Sequence, residues 1–579
     1  MICFRQLWKK LGIFFFLLIS CFGLMSALVG CMTASRANRE TEEVAHRLAT
    51  AYWQVQTGRT NDLDLSRPAD ALTLRVALQA IAQGNESVIF PAIPNMTVNL
   101  TNGLWRLTLE EALTIAARND RNYQKLKEAV FGAALDLDSK QFLFETTFSS
   151  MVLGALSDSI PGSDPRIQAA ADADFTRRFE SGSVVAGNLA LDISRLLRSD
   201  WSSLGIVGDL SMTIPLLRGS GREIVREPLT QAERNLTYAI RTFEFYRQTY
   251  AVLVTDRYLS VLESAQRLKN AQDNEYNLAL NSKRASMMFE AGRMGSIEAD
   301  QAKSQLLTAR ESVIAMKRSQ ETQLDGFKMA IGLPPDALVE VDAMELDKLT
   351  REIQQSAKEG TGGERLFPDE EDACAIALSK RLDIQNIRDT LNDAERDVKV
   401  AEDMLRADVT IEGNGQSASS IALNRSGNST DDESWRFAVR ADWPWNRRLE
   451  RNDYKKKLIV LEQVKRNIEE KEDGVKAAIR EGLRSLAAAE STYNIRVDSL
   501  RVGRMRVDST AMFMQSGRVI MRDVLEAQKA FLNAQDDLCS AIIDWRMREL
   551  ELRRDMGILN LSDVGMWQLK TIMDGVKHE

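Results

Sequence analysis

The feature that most restricts this 579-residue chain is where its prolines are missing. None lies between Leu229 and Leu333, and none follows Pro444. Both stretches are rich in Ala, Leu, Glu, Arg and Gln, so each reads as long helix. Glu223 to Gly292 alone is about 70 residues, roughly 100 Å of helix and far too long for an ordinary globular domain. Each stretch is read as broken once at a glycine, at Glu290-Ala291-Gly292-Arg293 and at Gln515-Ser516-Gly517-Arg518.

Those glycines lie 225 residues apart, and the spacing continues without a gap. Ala302 then aligns with Ala527, Leu307 with Leu532, Ala309 with Ala534 and Gly332 with Gly557. At an offset of 261, Ala112, Ala116, Ala133 and Asp136 align with Ala373, Ala377, Ala394 and Asp397. The chain is therefore two copies of one unit, beginning near Leu107 and Phe367. In the last helix Val524, Ala527, Phe531, Ala534, Leu538, Ala541 and Trp545 step by three and four, an a/d seam. Leu525, Leu532 and Cys539 form a second line, so this helix is expected to pack on both sides, as in a closed ring of helices.

Between the helices the hydrophobic period changes to two. Ile206, Gly208, Leu210, Met212 and Ile214 alternate with Val207, Asp209, Ser211 and Thr213, and Val185–Ile193 behaves alike, with Asn188, Asp192 and Ser194 on the polar side. In the second unit Trp435, Phe437, Val439, Ala441 and Trp443 alternate with Arg436, Ala438, Arg440 and Asp442, and Val409, Ile411 and Gly413 with Thr410, Glu412 and Asn414. Segments of about 10 residues with one apolar face match transmembrane β-strands. Four strands per chain cannot close a membrane barrel, for which about eight is the minimum. An open edge in lipid leaves backbone groups without partners, so the strand count itself demands an oligomer.

The N-terminus places the protein outside the cytoplasm. Arg5, Lys9 and Lys10 precede an apolar run that ends near Gly30, which reads as an export signal over residues 1–30 or, at about 20 apolar residues, as a retained membrane-spanning helix. Leu28-Val29-Gly30-Cys31 resembles the lipobox of bacterial lipoproteins, which implies that Cys31 is diacylated and becomes the first mature residue. Leu18-Ile19-Ser20-Cys21 also fits, but the apolar run continues past it. Two acyl chains suffice for stable anchoring.

Composition excludes several functions. A net charge of −8 argues against a nucleic-acid binder with a broad basic face, so no nucleic-acid partner is expected. Only His46 and His578 are present, which leaves no multi-histidine metal site and no base for Cys374 or Cys539 as nucleophile. No catalytic residue, cofactor or resident metal is expected, and the chain is read as not an enzyme.

Three segments carry a family resemblance. Leu107-Thr108-Leu109-Glu110-Glu111-Ala112 opens the first unit, and Ile214-Pro215-Leu216-Leu217-Arg218-Gly219-Ser220-Gly221-Arg222 resembles a strand-to-helix junction, echoed weakly by Asp442-Trp443-Pro444-Trp445-Asn446. The most specific is Gly517-Arg518-Val519-Ile520-Met521-Arg522-Asp523-Val524-Leu525-Glu526-Ala527-Gln528. Together they resemble the TolC-type outer-membrane efflux factors of the lipoprotein kind, over residues 105–335 (repeat 1) and 367–558 (repeat 2). Residues 31–104 then form a lipid-anchored extension, 336–366 a linker and 559–579 a tail. The polar helical stretch Glu42–Ala51 is expected to wrap the middle of the helical part.

The resemblance implies a mainly α fold with membrane β: long helices forming a periplasmic tunnel, and four strands per chain contributing to a 12-stranded barrel in a homotrimer. It also implies a passive outer-membrane export channel of a tripartite efflux pump or type I secretion system, working with a periplasmic adaptor and an inner-membrane pump of RND, ABC or MFS type. Asp523 and Glu526 stand where the family has an acidic pair near the periplasmic entrance. Spacing of three puts them on one helix face, and in a trimer they make carboxylate rings that favour cations. Glu298 sits six residues after Gly292 as Asp523 does after Gly517, and is expected to join the gate's ion pairs. Gly292-Arg293 and Gly517-Arg518 become the tips that touch the adaptor. Arg436 and Arg440 tune pore electrostatics if they face the lumen, and Gly219-Ser220-Gly221 reads as a turn, not a nucleotide loop. Two other readings are a lipid-anchored periplasmic coiled-coil adaptor or spacer without a pore, and a hydrolase using paired acids.

Overall fold

A computed structural model describes residues 33–57, 100–101, 104–157, 166–196, 202–360, 367–422, 430–443, 445–516 and 518–561. Cys31, Cys21, the signal segment and Gly517 lie outside them. The chain divides into two compact units.

Three pairs of helices reproduce the duplication at equal length. In the first repeat α2 spans Leu109–Asn119, α3 Arg121–Phe142, α4 the single turn Arg222–Val225, α5 Glu227–Glu290 and α6 Ser296–Ala330. Past α7 (Met344–Gly360), the second repeat has α8 (Glu370–Lys380), α9 (Leu382–Asp403), α10 (Arg448–Gln515) and α11 (Met521–Asp555). The helices α2 and α8 both have 11 residues, α3 and α9 both 22, and α6 and α11 both 35. With 64 and 68 residues, α5 and α10 are each about 100 Å long at 1.5 Å per residue.

Local chemistry sets the helix boundaries. Thr108 caps α2 in a capping box, accepting from the Glu111 N–H while the Glu111 carboxylate accepts from the Thr108 N–H at 2.9 Å. Asp120 separates α2 from α3, its carboxylate accepting the Tyr123 N–H at 2.7 Å. Gly332 and Gly557 terminate α6 and α11 at φ +77° and +69°. In both, the next N–H bonds back five residues, Leu333 to Lys328 and Ile558 to Arg553.

One unit comprises Met1–Asp64, Ala129–Ile240 and Asp389–Arg466. Its centre is a six-stranded antiparallel sheet of β3 (Thr146–Ser157), β4 (Arg166–Arg178), β5 (Val184–Leu196), β6 (Ser202–Pro215), β8 (Asp408–Ala422) and β9 (Thr430–Asp442), in that order. All four expected strands are present, as β5, β6, β8 and β9. Two more, β3 and β4, raise the count in this sheet to six among the described residues. The period-two signal fails in both: β3 is apolar on both faces at Met151, Val152, Leu153, and the alanines of β4 read as helix. The helix α1 (Ala34–Thr57) belongs to this unit, burying Ala45, Ala49 and Trp53. Tyr52 is close enough to Glu233 for that charge, after burial, to raise its phenol.

The second unit comprises Leu65–Glu128, Arg241–Arg388 and Asn467–Glu579. Here β2 (Leu104–Leu107) pairs with β1 (Leu100–Thr101) on one side and, in parallel, with β7 (Val339–Val341) on the other. The region expected as a linker thus contributes a strand and the helix α7. Trp105 and Leu107 are fully buried, and the Tyr258 hydroxyl donates to the Leu107 carbonyl at 3.1 Å.

The two seams of α11 face different neighbours. Phe531 and Ala534 pack against Gly503 of α10, and Trp545 lies 5.2 Å from the Tyr493 ring of the same helix. On the other seam Leu525 joins Leu278 and Ala285 of α5 and Ala302 and Ala309 of α6 in one buried cluster. Asn270 and Asn281 of α5 donate to Asp536 and Gln528 of α11 at 2.8 and 3.0 Å. Packing on both sides, expected from the seven-residue periods, is what the helix does.

Candidate functional site

Two features carry the functional argument: a sheet with unlike faces, and a pair of helical tips. Register places Phe148, Phe175, Leu189, Leu210, Trp435 and Phe437 on one sheet face. Phe148, Trp435 and Phe437 are 80%, 79% and 75% exposed, and Leu189 and Leu210 about half. An apolar face of this extent has no place in water. Trp443 and Trp445 at the end of β9 are also exposed, suited to a membrane interface.

The opposite face is polar. One row across it reads Ser149, Asp174, Asn188, Asp209, Gln416, Ser434, and the Asn188 amide donates to Asp174 at 2.6 Å. Asp172, Asp192, Arg436 and Arg440 share this face, with Arg440 3.8 Å from Glu412. A recess of about 660 Å³ lies on it, lined by Asp174, Asn188, Asp209, Gln416 and Arg436. Asp172 and Asp174 were not singled out in the sequence, because alternation in β4 is written in alanine and aspartate instead of large apolar residues.

The junction between sheet and helix is a built turn. Gly219 and Gly221 adopt φ +72° and +98°, and the Gly219 N–H donates to the buried Asp403 carboxylate at 2.7 Å. No nucleotide loop forms.

At the other end, α5 closes at Gly292 (φ +69°), with the Arg293 N–H bonded to the Met288 carbonyl. The second tip repeats this contact, the Arg518 N–H bonding the Phe513 carbonyl 225 residues later. Gly292, Arg293 and Arg518 are all exposed. Neither α6 nor α11 has a side-chain cap, and Glu298 and Asp523 occupy the same third position of the two helices. A carboxylate there offsets the exposed N–H groups of the first turn.

Asp523 and Glu526 lie one turn apart on α11, as expected. Glu526 has a partner that the sequence did not indicate: Arg506 of α10, 3.0 Å away. Asp523 is half-buried, 3.8 Å from Arg522. Among the described residues Glu298 makes no ion pair, so within one chain it does not join the acidic pair. Also among the described residues, no group of three His, Cys, Asp or Glu is placed to hold a metal, and no helix is long and apolar enough to cross a membrane.

No protein-family profile and no curated protein sequence matches the chain. Solved structures do. The CmeC outer-membrane channel of Campylobacter jejuni superposes with a TM-score of 0.55 at 12% identity, over 84% of this chain and 97% of that one. The outer-membrane protein VceC of Vibrio cholerae gives 0.55 at 13%, over 78% and 96%. The open state of the Neisseria gonorrhoeae MtrE channel gives 0.52 at 12%, over 81% and 98%. The chain has the fold of the TolC-type outer-membrane channels.

Proposed function

We propose that the protein is an outer-membrane export channel: a passive homotrimeric conduit, driven by an inner-membrane pump through a periplasmic adaptor. One observation carries this reading. A six-stranded sheet with an exposed apolar face and an acidic polar face is continuous with helices about 100 Å long. That combination suits a wall with lipid outside and water inside, extended by a helical tunnel through the periplasm. A pore-less coiled-coil spacer has no use for such a face, and a passive conduit needs no catalytic residues.

Cys31 is the proposed lipid anchor, two residues before the first described residue and three before α1. Gly292-Arg293 and Gly517-Arg518 are the proposed adaptor contacts, supported by the exposure of Gly292, Arg293 and Arg518. Asp523 and Glu526 form the proposed periplasmic gate, and Glu298 is assigned to it only by its equivalent position in the other repeat. Planar-bilayer recording of the detergent-purified protein tests the reading, with mass measured in parallel. Expected are a trimer, discrete cation-selective steps, and a larger single-channel conductance when Asp523 and Glu526 are both replaced by Ala. A monomer that never inserts would refute the channel; unchanged conductance and selectivity in the double variant would refute the gate.

A further inference from the structure

The two repeats contribute unequally to the sheet. In the second repeat α9 feeds β8, β8 turns into β9, and β9 leads to α10. In the first, α3 feeds β3 through only three residues, and β6 leads to α5. The entry strands β3 and β8 are therefore equivalent, as are the exit strands β6 and β9. The extra pair, β4 and β5, is inserted between entry and exit of the first repeat.

This insertion is part of the sheet, not an appendage. The β4–β5 ladder pairs 13 residues without a break. Its turn is fixed at the junction where β6 becomes helix. Gly182 (φ +92°) sits where a Cβ would come within 2.7 Å of the Gly219 carbonyl oxygen and 2.9 Å of the Pro215 ring. Glu180 reaches Arg222 at 2.8 Å and Arg226 at 3.6 Å. With β4 paired to it on one side and β6 on the other, β5 has no free edge.

The free edges are β3 and β9, and they run in opposite directions, as an antiparallel ring requires. We propose that β9 of each copy of this chain pairs with β3 of the next, so that three copies close an 18-stranded barrel. The number three rests on the channel reading above; the pairing rests on the sheet. Its template is internal, since exit strand β6 already pairs with entry strand β8, with Pro215 opposite Thr410. Pro444 echoes Pro215, and Ser149 is equivalent to Thr410 at the 261-residue offset. The transferred register sets Asp442 opposite Met151, Arg440 opposite Leu153 and Ala438 opposite Ala155. Parity provides a check: a shift of one residue would bring the polar face of one copy beside the apolar face of the next. The transferred register keeps like with like.

Diameter grows with strand number, and at 4.8 Å per strand and ~40° tilt eighteen strands give ~36 Å between backbones against ~24 Å for twelve. Porins of 16 to 18 strands hold an open aqueous channel. The outer end of this conduit then admits solutes too large for the twelve-stranded wall that four strands per chain would build.

Directly opposed residues of antiparallel strands have Cα separations suited to a disulfide. Cysteine pairs Ala155→Cys/Ala438→Cys, Leu153→Cys/Arg440→Cys and Met151→Cys/Asp442→Cys are placed in the full-length protein and oxidised in isolated outer membranes. A comparison panel joins Ala438→Cys or Arg440→Cys to Ala186→Cys, Asn188→Cys or Ala190→Cys on β5. Covalent dimers and trimers from the β3 panel, and none from the β5 panel or the unsubstituted protein, are expected. Crosslinking through β5 would overturn the proposal in favour of twelve strands. No crosslink from either panel in a protein that still conducts would overturn the pairing alone. No crosslink in a protein that neither inserts nor conducts would overturn the channel reading with it.

Discussion

Three glycines with the same backbone conformation but different surroundings allow the cost of a methyl group to be dissected. Gly292, Gly332 and Gly557 all close a long helix at φ between +69° and +77°. Alanine at any of them pays for the left-handed conformation, about 1–2 kcal/mol. Around Gly292 nothing lies within 4 Å of the new Cβ, so that is the whole effect. At Gly557 the Cβ meets the backbone at Lys380 and Arg381 at 3.0–3.1 Å, and at Gly332 it meets the Asn119 carbonyl oxygen at 2.7 Å. Backbone cannot swing aside as a side-chain tip can, so overpacking adds about 1–3 kcal/mol at Gly332 and less at Gly557. Asn119 and Lys380 end equivalent helices, α2 and α8, so the two contacts are one design used twice. Hydrogen-exchange mass spectrometry on the peptides containing Leu333, Ile558 and Arg293 reads local opening without requiring reversible unfolding. Exchange should rise about 5-fold or more for Gly292→Ala, further for Gly557→Ala, and at least about 30-fold for Gly332→Ala. Equal loss of protection for Gly292→Ala and Gly332→Ala would refute the claim that α2 is seated against the end of α6.

Further outcomes follow from individual contacts. Asp523→Ala removes one carboxylate per chain and should lower cation selectivity in bilayers, whereas Arg506→Ala/Glu526→Ala removes a pair of opposite charges and should leave selectivity nearly unchanged; the reverse pattern would remove Asp523 from the gate. Asp403 is 1% exposed and holds the Gly219 turn, so Asp403→Ala should destabilise by about 1.5–3 kcal/mol in chemical denaturation, with partial rescue by Asn. Burial, followed by the charge of Glu263, pushes the Cys539 thiol up to about 12, so it should resist alkylation at pH 8 until the protein is unfolded. Because an unfolded thiol ionises near pH 8.5 and the folded one does not, this group's contribution to stability should fall as pH rises above 8.5.

Legibility in the sequence followed the strength of the period. Helices with seven-residue seams, such as α11, were readable down to which residues form each of the two packing lines, since every third or fourth position is constrained by packing. Strands with large apolar residues on one face were equally clear. The strand β4 was not, because its outward positions include Ala169, Ala171 and Ala173, small residues that carry a helix-like signal and little hydrophobic contrast. Its pairing comes from neighbours distant in sequence, the kind of information no local window contains. The acidic pair at the tip was legible as a motif, but Arg506 was not: it lies 20 residues away along the chain and meets Glu526 only because α10 and α11 form a hairpin.

The unequal strand count of the two repeats has a simple physical limit. A helix pair added to one repeat would disturb two-sided packing of the kind seen for α11, whose two seams face different neighbours. A hairpin added to a sheet disturbs almost nothing. It restores strand direction after two steps, keeps apolar residues outward and polar residues inward, and leaves the edge strands with the same polarity as before. One strand alone could not be inserted, since it would reverse the exit strand and send the chain to the wrong end of the sheet. The number of strands can therefore change in twos while the helices stay fixed, and on the proposed channel reading the width of the wall and that of the tunnel are set independently. That separation also predicts where size selection resides: in the tips, where Asp523 and the Arg506–Glu526 pair sit, and not in the wall. Replacing Asp209 or Asp174 by Asn on the polar sheet face should then alter ion preference modestly and leave the size of the largest permeating solute unchanged in liposome-swelling assays. A change in that size limit would place the constriction in the wall.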